Sequence, residues 1–552
     1  MTNDRADLLR MTARRLRLFL RLEWKILAII FAYAVAIGLF SLIVPLTVQE
    51  LVSTFSFAVQ PVMIVTLASV MLAMLLVIAA FRVLQARAVE ILIQRLYARI
   101  SLSFTEAMFR LDEEHFLPHH ANYFLEAELM PRALLALLAD LLNVTVVGSI
   151  GMTMLVLYHP YFVLYNAVLL TGFAVLLTLL GRGGLLITLD VSHCHYRLFN
   201  WLQNIAHNLP HLKAAASGPL LMGKTDELAR AYVMTRKTRS DILTGRQYKG
   251  AAIWQAFGHS GLVAMAGWLV AAGELTVGQF AAAEVVVGNL LINMDILARR
   301  MYALYYVFAS FEEMAGLLSL PKKLETGRWT ASKDELEQQG VRIAGKDLAF
   351  GEPGGPPLFS GVNLDVMPGE KVAILTGTST SKTALAQVLA GLYVPTAGVV
   401  RYNDVDLRLW SRESLNACRG LVLDSHPSLL DGTLEENVSL GRPEVSYHDV
   451  RWALRFAELD EEVDALPMGL RTPVTGHGRT FTVSQILRLL VARAIVIRPQ
   501  VLIFDGTLHS MLPAKQETIL RRLCAKEEPW SVIFVSNDPV LLPMVDRRIL
   551  LD

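Results

Sequence analysis

The sequence predicts a membrane domain of six spanning α-helices followed by an α/β domain built around a phosphate-type loop. Three observations predict it. Six apolar segments are long enough to cross a hydrocarbon layer of about 30 Å. Lys and Arg are sorted onto alternate connections between those segments. From Val341 onward, short β runs alternate with helices and Gly/Pro turns. Composition agrees: 53% of the 552 residues are hydrophobic and only 18% are charged, too apolar for a soluble chain long enough to hold two domains. The net charge of +1 gives no field that would steer nucleic acid, so no nucleic acid is expected as a partner. Cys194, Cys418 and Cys524 lie far apart, which suits a reducing compartment better than a disulfide framework.

At the N-terminus, Arg10, Arg14, Arg15, Arg17 and Arg21 interleave with Leu9, Leu16, Phe19, Leu20 and Leu22. This reads as an amphipathic helix over 1–23 lying along a membrane surface, not as a cleavable signal. A transmembrane domain over 24–319 follows, with spans at 24–48, 61–81, 133–157, 160–180, 251–272 and 280–304. The connections 49–60, 158–161 and 273–278 contain no Lys or Arg. The opposite connections carry Arg82, Arg87, Arg95 and Arg99, then Arg182, then Arg246 and Lys249, and finally Arg299 and Arg300. Positive charge accumulates on the cytoplasmic side, so both termini are expected there. The two long cytoplasmic connections, 82–132 and 181–249, have apolar residues at helical spacing, and a soluble domain could dock at their tips. The polar stretch 320–340 reads as a linker, and 341–552 as the α/β domain.

Within that domain, 368–404 reads PGEKVAILTGTSTSKTALAQVLAGLYVPTAGVVRYND. This resembles the strand, phosphate loop and helix of an ABC transporter ATPase. The resemblance continues through HPSLLDGTLEENVSLGRP, ARAIVIRPQVLIFD and SVIFVSNDP and covers the whole region 341–552. The membrane half, with GWLVAAGELTVGQFAAAEVVV, resembles exporter-type half-transporters, particularly the type I secretion branch. The resemblance implies a multi-pass inner-membrane protein working as a homodimer or with another half-transporter, with periplasmic adaptor proteins as further partners. It also implies ATP and magnesium held between two nucleotide-binding domains.

The residues at the family's stations depart from that pattern. A phosphate loop needs glycines because backbone N–H groups must close around phosphate with no Cβ in the way. The loop here runs Thr376, Gly377, Thr378, Ser379, Thr380, Ser381, Lys382, Thr383. Thr376 and Ser381 stand at two glycine positions and Ser379 at a further one, whereas Lys382 and Thr383 remain as phosphate and magnesium ligands. A lysine in the first turn of a helix is common, so Lys382 alone says little. The apolar run 501–504 ends in Asp505, matching the magnesium-ordering aspartate. The following position, a glutamate in the family, is Gly506, and glycine has no group to activate water; losing a general base costs about 10²–10⁴-fold in rate. The sensing glutamine aligns with Ser425, the switch histidine with Asn537 and the adenine-stacking aromatic with Glu352. The loop Leu508, His509, Ser510, Met511, Leu512 lacks the family's terminal aspartate.

The family signature LSGGQ, which caps ATP bound to the opposite subunit, aligns with Phe481, Thr482, Val483, Ser484 and Gln485. Only Gln485 is unchanged, and two glycines that approach phosphate at a helix N-terminus have become Val483 and Ser484. Each composite site of a dimer would therefore contain a damaged element from this chain, whatever its partner. The expectation is an exporter-type half-transporter subunit with a pseudo-ATPase domain. The alternative is a non-hydrolysing membrane scaffold, receptor or regulator that keeps the exporter fold. An active ATP-driven exporter with divergent motifs ranks third.

In the sixth span, Glu284 and Asp295 are eleven residues apart, within about 20° of one helical face. With Asn289 they are candidate pathway residues, because ionisable groups in a span face a cavity, a partner helix or a pathway; hydrated residues near a span end are the plain alternative. Asp140, Asn143 and His259 are weaker candidates of the same kind. His193 and His195 point about 160° apart on a helix, so His193-Cys194-His195 is not expected to bind metal, and no metal site is expected elsewhere. His115, His119 and His120 read as surface histidines.

Overall fold

A computed structural model describes residues 21–55, 61–110, 122, 124, 126–215, 218–318, 327, 329–330, 340–351, 355–375, 379–424, 427–475, 480–506 and 508–551. The amphipathic segment expected over 1–23 lies outside these residues except for its last three, as do His115, His119 and His120. The chain divides into two units, Met1–Pro321 and Lys322–Asp552.

The first unit is built from α1 (Trp24–Ser41), α2 (Ile43–Phe55), α3 (Pro61–Arg110), α4 (Glu126–Tyr158), α5 (Tyr161–Leu180), α6 (Gly184–His207), α7 (Leu209–Ala214), α8 (Gly218–Ile242), α9 (Lys249–Ala271) and α10 (Val277–Leu318). Among the described residues, five stretches are long and apolar enough to cross a membrane: Trp24–Thr54, Pro61–Met108, Leu129–Tyr158, Tyr161–Leu180 and Val277–Ser310. Their outer faces are apolar as well: Leu76, Leu164 and Val163 are exposed on the isolated chain, as lipid-facing residues are. The described parts of the long connections are mostly helical, as expected. Helix α3 runs without interruption for 50 residues, and α6 packs along α8.

The fifth expected span departs from this set. Residues 251–272 do fall on a helix, α9, but Gln255, His259, Ser260 and several glycines dilute its apolar run. Packing keeps it in place: Leu262, Ala266 and Leu269 are fully buried against Leu155, Phe162, Ala282, Ala283 and Val287 of neighbouring helices. A turn of π-helix over Leu243–Tyr248 precedes α9. It carries the fully buried Gln247, whose amide donates to the Leu177 carbonyl at 3.0 Å and the Tyr305 hydroxyl at 3.0 Å. Gly172 makes room for Trp254, whose indole N–H donates to the Leu169 carbonyl at 3.1 Å.

The second unit contains two main sheets. One is antiparallel, in the order β2 (Phe359–Val366), β1 (Ile343–Phe350), β4 (Ala397–Tyr402), β5 (Val405–Asp406). The other is parallel, in the order β11 (Arg547–Leu550), β3 (Lys371–Leu375), β10 (Ser531–Val535), β9 (Val501–Phe504), β6 (Arg419–Val422). A short ribbon pairs β7 (Gly432–Thr433) with β8 (Pro473–Val474). Helices α11 (Ser379–Leu389), α12 (Arg412–Cys418), α13 (Leu434–Ser439), α14 (Tyr447–Phe456), α15 (Asp460–Asp464), α16 (Val483–Ile495) and α17 (Pro513–Leu523) complete it.

Strands β9 and β10 are buried on both faces, which is why they read as unbroken apolar runs without alternation. Period-two geometry sends their side chains to two separate cores. Leu502, Phe504, Val532 and Phe534 join the core of α14, α16 and α17. Val501, Ile503, Ile533 and Val535 join the core of α11 and the antiparallel sheet. The expected linker is partly tied into this unit: Trp329 bridges to Trp410, its ring centroid 4.2 Å away, and its N–H donates to the Leu409 carbonyl at 3.0 Å.

Phe504 and Phe534 stack at 4.9 Å between centroids and are buried. Phe534→Ala should destabilise the second unit by about 3–5 kcal/mol. A thermal melt of the full chain in detergent, followed by limited proteolysis, should show this unit cleaved first.

Candidate nucleotide site

Strand parity sets the geometry of this site. Asp505 follows β9 one residue after Phe504, so it falls on the same side as Val501 and Ile503, the side packed by α11. There the Thr383 hydroxyl, in the first turns of α11, donates to Asp505 Oδ2 at 3.0 Å. The other oxygen, Oδ1, accepts the backbone N–H of Asp424, which follows β6 on the neighbouring strand. Asp505 is 6% exposed. The phosphate-loop helix, the central strand and the connection after β6 thus meet on one carboxylate.

The expected loop residues are placed unevenly. Thr376, Gly377 and Thr378 lie outside the described residues, as do Ser425 and Glu352. Helix α11 begins at Ser379, and Thr380 and Lys382 lie in its first turn. Ser381, expected as a glycine replacement in the cradle, is buried and donates its hydroxyl to the Leu358 carbonyl at 2.8 Å, just before β2. Its side chain serves the fold of the domain. Asn537 follows β10 at the surface.

Gly506 has a neighbour that sequence reading missed. A Cβ added at Gly506 would stand 2.6 Å from Asp424 Oδ2 and 2.9 Å from Asp424 Cβ. The Asp424 side chain is 5% exposed, and its Oδ2 accepts the Leu508 N–H at 3.0 Å, with His509 Nδ1 at 3.6 Å. Its Oδ1 is buried without a hydrogen-bond partner. Burial pushes Asp424 above the usual carboxylate range; His509 pulls it back and the charge of Asp505 adds to the rise. Leu508, at φ 61°, holds the left-handed conformation that non-glycine residues rarely adopt, and its bond to Asp424 anchors it. The residue beside the Asp505 carboxylate is therefore Asp424, one position before Ser425. The available signal was an acid two residues after the end of β6, in register with β9.

The residues expected at the signature position are also occupied with local structure. Thr482 caps α16: its hydroxyl accepts the Gln485 N–H at 3.2 Å, and Gln485 Oε1 accepts the Thr482 N–H at 2.9 Å. Gln485, the one unchanged signature residue, also donates through Nε2 to Glu462 at 3.0 Å. Glu462 receives Arg488 at 2.8 Å and Lys515 at 2.5 Å as well. Arg488 is buried. Phe481 packs against the core of this subdomain, while Val483 projects, 49% exposed, where close approach to phosphate calls for glycine. Ser484 has its carbonyl bonded by Arg488 at 3.3 Å.

In the membrane unit the candidate residues are paired or enclosed. Glu284 meets His259 at 2.8 Å. Asp295 is paired with Arg299 at 2.5 Å, whose guanidinium lies over the Tyr248 ring, and Asp140 with Arg300 at 3.0 Å. Asn143 and Gln85 exchange amide bonds at 3.0 and 3.2 Å. Asn289, with Gly148 and Gly151, lines a cavity of about 30 Å³ between α1, α4 and α10, room for one water. Glu284 and Asn289 thus sit in different surroundings. His195 stacks on Phe199, and no metal-binding group of three His, Cys, Asp or Glu is found among the described residues.

Known proteins carry the same architecture. Residues 359–509 match the family described as ABC transporter. A solved structure of a bacterial Atm1-family ABC exporter with ATP bound superposes with a TM-score of 0.82 at 17% identity, covering 96% of this chain and 94% of that one. A fatty acid ABC transporter ATP-binding/permease protein of Mycobacterium bovis is 29% identical over 372 residues, 65% of this chain and 58% of that protein. A mycobactin import ATP-binding/permease protein of Mycolicibacterium thermoresistibile is 29% identical over 308 residues, 54% of this chain and 52% of that protein. A leukotoxin translocation ATP-binding protein of Mannheimia glucosida is 25% identical over 342 residues, 62% and 47% respectively. The chain spans about half the length of the curated relatives it matches. Residues 359–509 thus carry an ABC transporter domain, and the relatives that align with this chain are named as ATP-binding/permease or ATP-binding proteins. The fold is that of the Atm1-family exporter structure, a helical membrane domain followed by one ABC-type nucleotide-binding domain.

That fold implies ATP with magnesium, and the residues fit one end of that group only. Thr383 and Asp505 stand together as a pair that would hold the metal. At the hydrolytic end, Gly506 offers no carboxylate, and the room for one is filled by Asp424.

Two outcomes test this geometry. Gly506→Glu should destabilise the chain by about 1–3 kcal/mol through overpacking, and adding Asp424→Gly should recover part of that loss in a double-mutant cycle. Glu462 is pushed up by burial but held down to about 2 by hydrogen bonds from Arg488, Lys515 and Gln485. Its contribution is complete above the ordinary glutamate range, about pH 4.3, and is lost as pH falls toward about 2. Glu462→Gln should therefore cost about 1 kcal/mol at neutral pH, after allowing for solvent screening, and the gap in melting temperature should close in acid.

Proposed function

We propose that this chain is a half-transporter of the inner membrane whose nucleotide-binding domain does not turn over ATP. It acts in export as a homodimer or beside a second half-transporter. The observation that carries this reading is Gly506 with Asp424 packed into its empty side: the place of the water-activating group is filled by a carboxylate bonded to Leu508. The absence of that group alone accounts for about 10²–10⁴-fold in rate. The signature supports the same reading from the opposite face, because Thr482 and Gln485 are bonded to each other and Val483 projects at the approach to phosphate. With a competent partner, one composite site would still lack the water-activating group at Gly506 and the other would still face Phe481, Thr482, Val483, Ser484 and Gln485. The relatives named as ATP-binding/permease proteins carry different substrates in their names, a fatty acid, mycobactin and leukotoxin, so no substrate is transferred from them. Nucleotide, where it binds, would rest on Lys382, Thr383 and Asp505, and its binding energy rather than its hydrolysis would bias the conformation of the dimer. Periplasmic adaptor proteins are partners of the same proposal.

The purified chain in nanodiscs should show no ATPase activity above a Lys382→Ala control at saturating magnesium and ATP. Magnesium-dependent turnover that Lys382→Ala abolishes would overturn the pseudo-ATPase reading.

A further inference from the structure

Gly327 and Trp329 fasten the linker to one place on the second unit, the backbone of Leu409, Trp410 and Ser411. The Trp329 N–H donates to the Leu409 carbonyl at 3.0 Å, and the Ser411 N–H donates to the Trp329 carbonyl at 2.9 Å, which makes a single parallel bridge to Trp410. Gly327 lies directly on the same backbone: a Cβ there would stand 1.6 Å from the Trp410 carbonyl oxygen, so only glycine fits. The rings of Trp329 and Trp410 meet at 4.2 Å between centroids. Trp410 is buried, and its indole N–H has no hydrogen-bond partner among the described residues. Packing alone therefore holds that ring, and Trp329 is one wall of the packing.

Two routes lead from this place toward the nucleotide site. The Trp410 ring meets Tyr402 edge-on at 5.8 Å, and the fully buried Tyr402 donates its hydroxyl to the carbonyl of Leu389 at 2.9 Å, the last residue of α11. Leu407, whose carbonyl accepts the Trp410 N–H, packs on Gly391 just beyond α11, where a Cβ would stand 2.6 Å from Leu407 Cδ2. On the other route, Ser411 caps α12 by accepting the Ser414 N–H at 3.2 Å, and α12 runs straight into β6. Helix α11 and strand β6 are the two elements that converge on Asp505, through the Thr383 hydroxyl and the Asp424 N–H. The linker thus sits at the far ends of both.

The contact is small enough to open. Two backbone hydrogen bonds and one ring pair hold it, against the chain freedom lost on docking, and the two sides are of similar size. Docking also shortens the tether. Gly327 is nine residues after Leu318, the end of α10, a reach of at most about 32 Å. Gly340, whose carbonyl accepts the Asn403 amide at 3.0 Å, is 22 residues after Leu318, a reach of up to about 79 Å. We propose that the linker is a clasp on the phosphate-loop helix. Docked at Trp410, it holds the far end of α11 in place, and a displacement of α10 beyond the slack of those nine residues is delivered there. Released, it leaves the end of α11 loose and the connection slack. The clasp needs no ATP turnover, so it stands whichever way the nucleotide domain is read.

Hydrogen–deuterium exchange of the full chain in nanodiscs, without nucleotide, tests this separately from any ATPase result. Gly327→Val displaces the linker by its added atoms, and Trp329→Ala removes the ring. In both, the Ser411 amide should exchange at least about tenfold faster as its acceptor withdraws, and the amides of 390–392 at the end of α11 should do the same. Trp329→Phe, which keeps a ring, should restore most of the protection. The amides of β9 should exchange as in the parent chain. Faster exchange at Ser411 alone makes the linker a local contact and overturns the proposal. So does a rise of equal size in β9, which marks general loosening, or an unchanged Ser411 in Gly327→Val. If Trp329→Ala fails to fold, Gly327→Val decides.

Discussion

The second unit depends on one carboxylate at the end of a buried strand. Asp505 sits where β9 stops being apolar, and it binds α11 through Thr383 and the connection after β6 through the Asp424 N–H. Buried and charged, it must have partners. Those partners are what bring the phosphate-loop helix and the neighbouring strand connection to the same point. The ion site of the fold and the internal cohesion of the fold are therefore the same contacts. Thr383 and Asp505 thus have structural work of their own, and so does Gly506, whose missing side chain leaves the room that Asp424 fills.

Much of this was legible in the sequence. Strands β9 and β10 announced themselves as unbroken apolar runs, and parity then placed Asp505 toward α11. The long helices α3, α6 and α8 followed from helical spacing within charged connections. What stayed hidden was lateral. Asp424 could not be placed beside Gly506 from sequence, because the contact depends on the register of β6 against β9, two strands separated by about eighty residues of chain. The bond from Ser381 to Leu358 was hidden for the same reason. The pairings of Asp140 with Arg300 and Asn143 with Gln85 likewise required knowing which helices are neighbours.

In the membrane unit, polar side chains serve mainly as fasteners between helices. The Gln85 and Asn143 amides satisfy each other, and Gln247 reaches from the π turn to α5 and α10. Such bonds are worth about 0.6–2 kcal/mol each, enough to set which helix faces meet in a medium that supplies no hydrophobic drive between them. The His259 and Glu284 side chains, 2.8 Å apart, make a further contact of this kind between α9 and α10.

Helix α3 has a mechanical consequence. Its 50 residues make a rod of about 75 Å, of which about 30 Å suffices to cross hydrocarbon. Some 45 Å therefore extends beyond the membrane as one stiff piece with no proline after its first residue. A rod of that length multiplies angle into distance: a tilt of about 5° within the membrane carries its far end through about 4 Å, roughly the rise of two to three helical residues. A rearrangement too small to repack the spans would still register as a displacement of a whole side chain at the tip.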